Sequence, residues 1–280
     1  MKLSIITVNL NNSNGLKRTI SSVLNQTYKN FEYIIIDGGS TDGSVGVIKT
    51  YTDIPPGINE SRVTDHEPRI SYWISSPDSG IYNAMNKGIK LAKGEYCYFL
   101  NSGDYLLNMD VLTFVFSSNL QSNVFFGNLY VISTDNKVTK SIGSNPVTFL
   151  DVYMGCIKHQ ATFIKRILFD KFGLYDDELE IIADWDFLIK SIFNHRISID
   201  YIDTDIACYD NNGISNNPLN SKRYSDELQF VTNKTIPSSI KMDYMLFSKY
   251  HHVRLIDSRP LFIFLFRVFI KFISFINKLL

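Results

Sequence analysis

Apolar positions in the N-terminal third of the chain switch between two rhythms. Runs with little polar interruption, Leu3–Asn9 (LSIITVN), Phe31–Asp37 (FEYIIID), Arg69–Ser76 (RISYWISS) and Glu95–Ser102 (EYCYFLNS), read as strands. Between them, GLKRTISSVLNQ sets Leu16, Ile20, Val23 and Leu24 at helical spacing, GSVGVIKTY begins a second helix, and GIYNAMNKGIKLAKG is a third, closed by Gly94. Strands alternating with helices predict an α/β fold with a mostly parallel sheet covered on both faces. Thr52–Arg69, polar and carrying three prolines, reads as a long surface loop. Beyond Asp104 the rhythm loosens into a helix over Val111–Ser117, β-like material in NVFFGNLYVIS, a turn-rich stretch, and a helix from about Asp184 to Phe193.

The strand ends are where the polar chemistry collects. FEYIIID runs into Asp37–Ser44 (DGGSTDGS), and EYCYFLNS into Gly103 and Asp104. Small residues and carboxylates at the carboxyl ends of parallel strands are where an open α/β sheet binds its ligand.

Composition narrows the function without naming it. Twenty-eight Lys and Arg balance 28 Asp and Glu, so no basic field gathers nucleic acid. Cys97, Cys156 and Cys208 are odd in number and far apart, which speaks against a disulfide framework or a zinc site and suits a reducing cytosol. The first strand leads into NLNNSNG rather than a Gly-x-Gly-x-x-Gly turn, so a dinucleotide oxidoreductase is disfavoured.

Four segments in order, IIIDGGSTDGS, DSGIYNAMNKGI, YFLNSGDYL and ADWDFLIK, resemble the family 2 glycosyltransferases, inverting enzymes of the GT-A fold that use nucleotide-diphospho-sugars. The likeness runs over about Lys2 to Phe193, and the stretch from His159 to Lys190 is similar to members that build bacterial surface polysaccharides such as O-antigen. It implies a nucleotide-sugar-binding half over 1–105 and an acceptor-binding half carrying the base over 106–235, followed by a helical extension over 236–280. The implied donor is a nucleotide sugar, with UDP-sugars foremost, and the implied acceptor a polyprenyl-diphosphate-linked saccharide. A relative that binds nucleotide or saccharide without catalysis is the competing reading.

The resemblance also assigns roles. Asp37 accepts from the base, with Thr7 and Asn9 beside the same nucleotide, and the second acid of many relatives is replaced by Gly38. Asp42 reads as a helix cap. NSGD stands where the family has Asp-x-Asp, the motif for a divalent cation (Mn²⁺ or Mg²⁺), with Asn101 and Gly103 in place of the carboxylates and Asp104 as the acid that remains. Either Asp104 and Asn101 hold the metal with phosphate and water, or metal binding is weak. Asp78, Tyr82, Asn86 and Lys87 flank nucleotide and sugar phosphate, with Asp78 on ribose or sugar hydroxyls; an amphipathic helix surface explains Asn86 and Lys87 equally well. His159 falls near the diphosphate or acceptor. Asp184 takes the position of the catalytic base with Asp186 as its support, although capping and first-turn roles suit both.

The C-terminal stretch is read separately. In Leu261–Leu280, Arg267, Lys271, Ser274 and Lys278 recur at intervals of four, three and four, one polar stripe on an apolar helix. Such a helix reads as lying in the interface of an anionic membrane, helped by Arg254 and Arg259, with the enzyme then peripheral on the cytoplasmic face of the bacterial inner membrane; a core or dimer helix with snorkelling basic residues is the competing reading.

Overall fold

The computed structural model describes residues 1–52, 69–117, 121–133, 135–210 and 218–249; the loop expected over 53–68 and the amphipathic stretch Leu261–Leu280 lie outside them. The chain divides into two compact units, Met1–Val231 and Thr232–Leu280.

In chain order the elements are β1 (Leu3–Asn9), α1 (Ser13–Leu24), β2 (Phe31–Asp37), α2 (Ser44–Thr52), β3 (Ile70–Ser75), α3 (Ile81–Leu91), β4 (Tyr96–Phe99) and β5 (Tyr105–Leu106). There follow α4 (Val111–Ser117), β6 (Val124–Ile132), β7 (Val138–Ser141), α5 (Phe149–Tyr153), β8 (Thr162–Lys165), α6 (Ile167–Phe172), α7 (Ala183–His195), β9 (Ile199–Asp210), α8 (Ser221–Thr235) and α9 (Ser238–Lys249). One sheet runs β3-β2-β1-β4-β8-β6-β9-β5, with β7 on β6.

The expected parallel sheet is the β3-β2-β1-β4 half. Every residue of β1 is buried, as a central strand covered on both faces requires, and its end is in register with that of β2, Asn9 opposite Asp37. Past β4 the sheet becomes mixed: β8 is antiparallel to β4 and β6, and β9 is parallel to β6. Short β8 and the two-residue β5 give no alternation to read, since a brief apolar run serves helix and strand alike.

Helix α1 buries Leu16, Ile20 and Val23 on the expected stripe, and its first turn is capped by the Asn12 side chain accepting from the Gly15 N–H. Helix α3 lies so close to β1 that a methyl group at Gly88 would stand 2.5 Å from Ile6 Cγ2, a spacing only glycine allows. Under the mixed half the core is aromatic: Phe163 stacks on Tyr98 at 4.5 Å and on Phe125 at 4.8 Å between ring centres.

Candidate active site

A cavity of about 740 Å³ opens beyond the carboxyl ends of β1 and β4. Its wall comes from the end of β1 (Val8 to Leu10), the cavity-facing side of α1 (Asn14, Gly15, Arg18), the start of α3, the Asn101–Asp104 turn, His159 and Gln160, and Glu180 with Ile181.

The turn after β4 is tied from several sides. Ser102 N donates to Val8 O at 3.0 Å and Asp104 N to Asn101 O at 3.0 Å, while Gly103 takes φ +105°. From α1, the Arg18 guanidinium donates to the Gly103 carbonyl, and the Thr19 hydroxyl accepts from Gly103 N at 3.0 Å and donates to Asp104 O at 2.6 Å. Asp104 lines the cavity with 4% of its surface exposed. Among the described residues no cluster of three His, Cys, Asp or Glu side chains could enclose a metal by itself. Asp104 does supply a carboxylate, and Asn101 a buried Oδ1 without a hydrogen-bond partner. Carboxylate and amide oxygens are the ligand types that a hard divalent cation takes when diphosphate and water complete its shell.

Three of the lining side chains, Tyr82, His159 and Asn101, belong to one hydrogen-bonded line with Asp184, which is not itself among the lining residues. Asp184 Oδ1 accepts from the Tyr82 hydroxyl at 2.7 Å, and that hydroxyl also reaches Ile181 O at 2.8 Å. Asp184 Oδ2 pairs with His159 Nδ1 at 3.0 Å, and His159 Nε2 lies 3.2 Å from Asn101 Nδ2. A carboxylate only accepts, so Nδ1 carries the proton and Nε2 accepts from the Asn101 amide. Burial alone would raise the Asp184 pKa, but His159, Tyr82 and the Trp185 N–H hold it below the ordinary value. Its side chain keeps 21% of its surface exposed. Burial and the neighbouring Asp184 charge push the Tyr82 hydroxyl well up, so it remains a donor. Asp184 does not cap α7: the cap position is Ile182, and Asp184 and Asp186 both lie in the first turn.

Asp37 is arranged differently. It is 0% exposed, and its carboxylate takes four protein donors: Asn9 Nδ2 at 2.6 Å, Ser40 Oγ at 2.6 Å, Ser75 Oγ at 2.6 Å and Ser40 N at 2.9 Å. Burial opposes its charge, yet Ser40, Ser75 and Asn9 together lower the pKa. It organises the loop behind Asn9, which itself lines the cavity. Asp42 acts at the start of α2, accepting from Ser44 N at 3.0 Å and from Ser13 N at 2.7 Å.

Four further expected residues turn away from the cavity into local structure. Thr7 donates to Leu100 O at 2.7 Å inside the core. Asn86 exchanges hydrogen bonds with the Tyr175 backbone at 2.8 and 3.1 Å, and Lys87 donates to Pro77 O at 3.1 Å. Asp186 is buried against Lys190 at 2.6 Å. Asn9, Asp78, Tyr82, Asn101, Asp104 and His159 do line the cavity.

Arg18 and Glu180 line the cavity too, although sequence reasoning passed over them. Arg18 had a signal: with Asn14 and Gly15 it occupies the side of α1 opposite the apolar stripe, which alone reads as a solvated face. Glu180 had none. It sits in a loop held from α8, where the Glu227 carboxylate accepts the backbone N–H groups of Glu180, Ile181 and Ile182 at 2.8, 3.0 and 3.2 Å.

The model of the family described as Glycosyl transferase family 2 matches residues 4–169. A PGL/p-HBAD biosynthesis glycosyltransferase of Mycobacterium tuberculosis is 28% identical over 232 residues, 82% of this chain and 84% of its own. An uncharacterized glycosyltransferase of the same organism is 32% identical over 194 residues, 68% of each chain. Among solved structures, S. aureus TarS 1–349 in complex with UDP shares the fold at TM-score 0.60 and 20% identity over 75% of this chain, which spans 60% of that one. Mannosyltransferase PcManGT from Pyrobaculum calidifontis, in complex with GDP-Man and Mn²⁺, does so at TM-score 0.52 and 12% identity, over 74% of this chain and 56% of its own. Fold and relatives together define a sugar-transferring enzyme of the GT-A type. The chain belongs to glycosyl transferase family 2.

Proposed function

We propose that the protein moves a hexose or N-acetylhexosamine from a UDP-sugar, with inversion, to a lipid-linked saccharide during assembly of a bacterial surface polysaccharide of the O-antigen kind. The observation that carries this reading is the Tyr82–Asp184–His159–Asn101 line, which holds a partly exposed carboxylate next to three residues of the cavity wall. Asp184 takes the proton of the acceptor hydroxyl while that oxygen attacks the anomeric carbon. The bond from the anomeric carbon to phosphate breaks, and the nucleoside diphosphate leaves with the electron pair. Its lowered pKa keeps Asp184 in the accepting form at neutral pH, and His159 and Tyr82 fix its direction. A divalent cation held by Asp104 and Asn101 would neutralise charge on the diphosphate. A uridine donor is supported by TarS, a fold relative captured with UDP-GlcNAc.

Among the described residues no helix is long and apolar enough to cross a membrane. The basic stripe of Leu261–Leu280 supports peripheral attachment at the cytoplasmic face, where a polyprenyl-linked acceptor is presented. Deleting Arg259–Leu280 moves the protein from the membrane pellet to the soluble fraction on this reading, with nucleotide binding kept.

The deciding experiment is calorimetry against a panel of nucleotide sugars, with manganese and with chelator, followed by transfer to polyprenyl-diphosphate saccharides. Binding of one UDP-sugar, tighter with manganese, is the expected result. Equal binding in chelator removes the metal from the proposal, and absence of any nucleotide-sugar binding overturns it.

A further inference from the structure

A nucleobase is recognised by a flat apolar surface against its face and a fixed polar group at its edge. The acid expected at that edge, Asp37, already takes four donors and has no exposed surface. An N–H from a ligand would have to displace Asn9 or a serine to reach it.

The residue that follows is Gly38, and the space a side chain would fill there is taken from elsewhere. A methyl group built on Gly38 would stand 2.7 Å from Asp78 Oδ2 and 3.4 Å from Leu10 Cδ1. One carboxylate and one apolar side chain therefore meet over a position stripped to backbone. Leu10 lines the cavity with 59% of its surface exposed, an apolar platform that nothing in the core explains.

Asp78 is also held in place. Its Oδ1 accepts from Gly80 N at 3.1 Å, and among the described residues no donor reaches Oδ2. The turn that carries it is pinned by Ser76 N on Asp37 O at 3.0 Å and by Lys87 on Pro77 O at 3.1 Å. Gly39, at φ +84°, brings its backbone so near Pro77 that a methyl group there would lie 3.2 Å from the proline nitrogen. The loops after β2 and β3 are thus one packed wall, and Asp78 is among the residues that line the cavity.

We propose that Asp78 is the carboxylate that reads the nucleobase of the donor, over the Leu10 platform, and that Asp37 is a structural residue of the fold behind it. The inference rests on the reading of the donor as a nucleotide sugar. An acceptor-only group selects an edge that offers N–H, as uracil does at N3, and rejects cytosine, whose N3 is itself an acceptor.

The test is calorimetry of UDP, CDP and 2′-deoxy-UDP with the full chain and three variants, each checked for folding by thermal melting. The wild type binds UDP about ten-fold or more tighter than CDP, the ratio expected when a buried edge loses its partner. Asp78→Asn, whose amide can both accept and donate, brings the two within about three-fold of each other. Gly38→Ala moves the ratio the same way, because its methyl group displaces the Asp78 carboxylate. Asp37→Asn lowers the melting temperature and leaves the ratio unchanged. If UDP binds but the wild type does not discriminate it from CDP, the inference fails while the donor class stands. If Asp78→Asn weakens UDP and CDP equally and abolishes the preference for UDP over 2′-deoxy-UDP, Asp78 holds ribose and the inference is overturned. If no nucleoside diphosphate binds, both fall.

Discussion

Two enclosed aspartates, Asp37 after β2 and Asp184 at the start of α7, look alike by charge and differ in the company they keep. Burial works against the ionised form of each, and each is nonetheless held below its ordinary pKa. The donors to Asp37 are two serines, an asparagine and a backbone N–H, neutral groups that neither gain nor lose a proton at working pH. The side-chain donors to Asp184 are a histidine and a tyrosine from distant parts of the chain, and a fifth of its side chain stays open, at 21%. A carboxylate saturated by neutral donors is a structural knot. One held by donors from distant parts of the chain and left partly open is placed to receive a proton.

The difference can be broken from either side. The largest effect falls on Asp184→Asn, for which turnover drops about 10³-fold, roughly 4 kcal/mol of barrier, while donor binding by calorimetry stays close to wild type. Turnover within a few-fold of wild type would remove Asp184 as the base. Asp37→Asn acts on the fold instead. The NH2 of its new amide faces donors it cannot accept from, and denaturant unfolding should show a loss of about 3 kcal/mol. The sign with pH follows from the lowered pKa: a carboxylate depressed in the folded state stabilises it above the unfolded value and loses that contribution as pH falls through the folded one. The stability gap between wild type and Asp37→Asn therefore narrows on acidification below about pH 4. Tyr82→Phe removes one donor from the base and leaves the other, so turnover falls about ten-fold in steady-state assays with the Michaelis constant for donor little changed. The smallest effect is expected of Asp186→Asn, about three-fold on turnover, since its carboxylate is paired with Lys190 away from the cavity.

The N-terminal half was legible because β1 and β2 are buried on both faces and end abruptly in polar residues, so LSIITVN and FEYIIID announce both element and edge. The mixed half was not, because β8 and β5 are defined by partners far along the chain rather than by their own pattern. The site divides the same way. That Asp37 and Asp184 matter can be read from their place in the motifs. That one is closed and the other open depends on Ser75 from the next strand, on Tyr82, and on His159, and no spacing along the chain brings these together. Arg18 was hidden by the rule that found its helix, since the polar side of an amphipathic pattern looks the same whether it meets solvent or a ligand.

The bridge from Tyr82 to Asp184 bears on how such enzymes can be recombined. The hydroxyl that steadies the proposed base comes from residue 82, in the expected donor half, and the imidazole from residue 159, in the same expected half as Asp184. A chimera that borrows its C-terminal portion from a relative, to change which acceptor is glycosylated, inherits Asp184 with its imidazole and leaves the Tyr82 hydroxyl behind. The unit of exchange is then not a half-domain but a half-domain together with residue 82, and crossovers that respect this should retain activity where a simple midpoint fusion loses it.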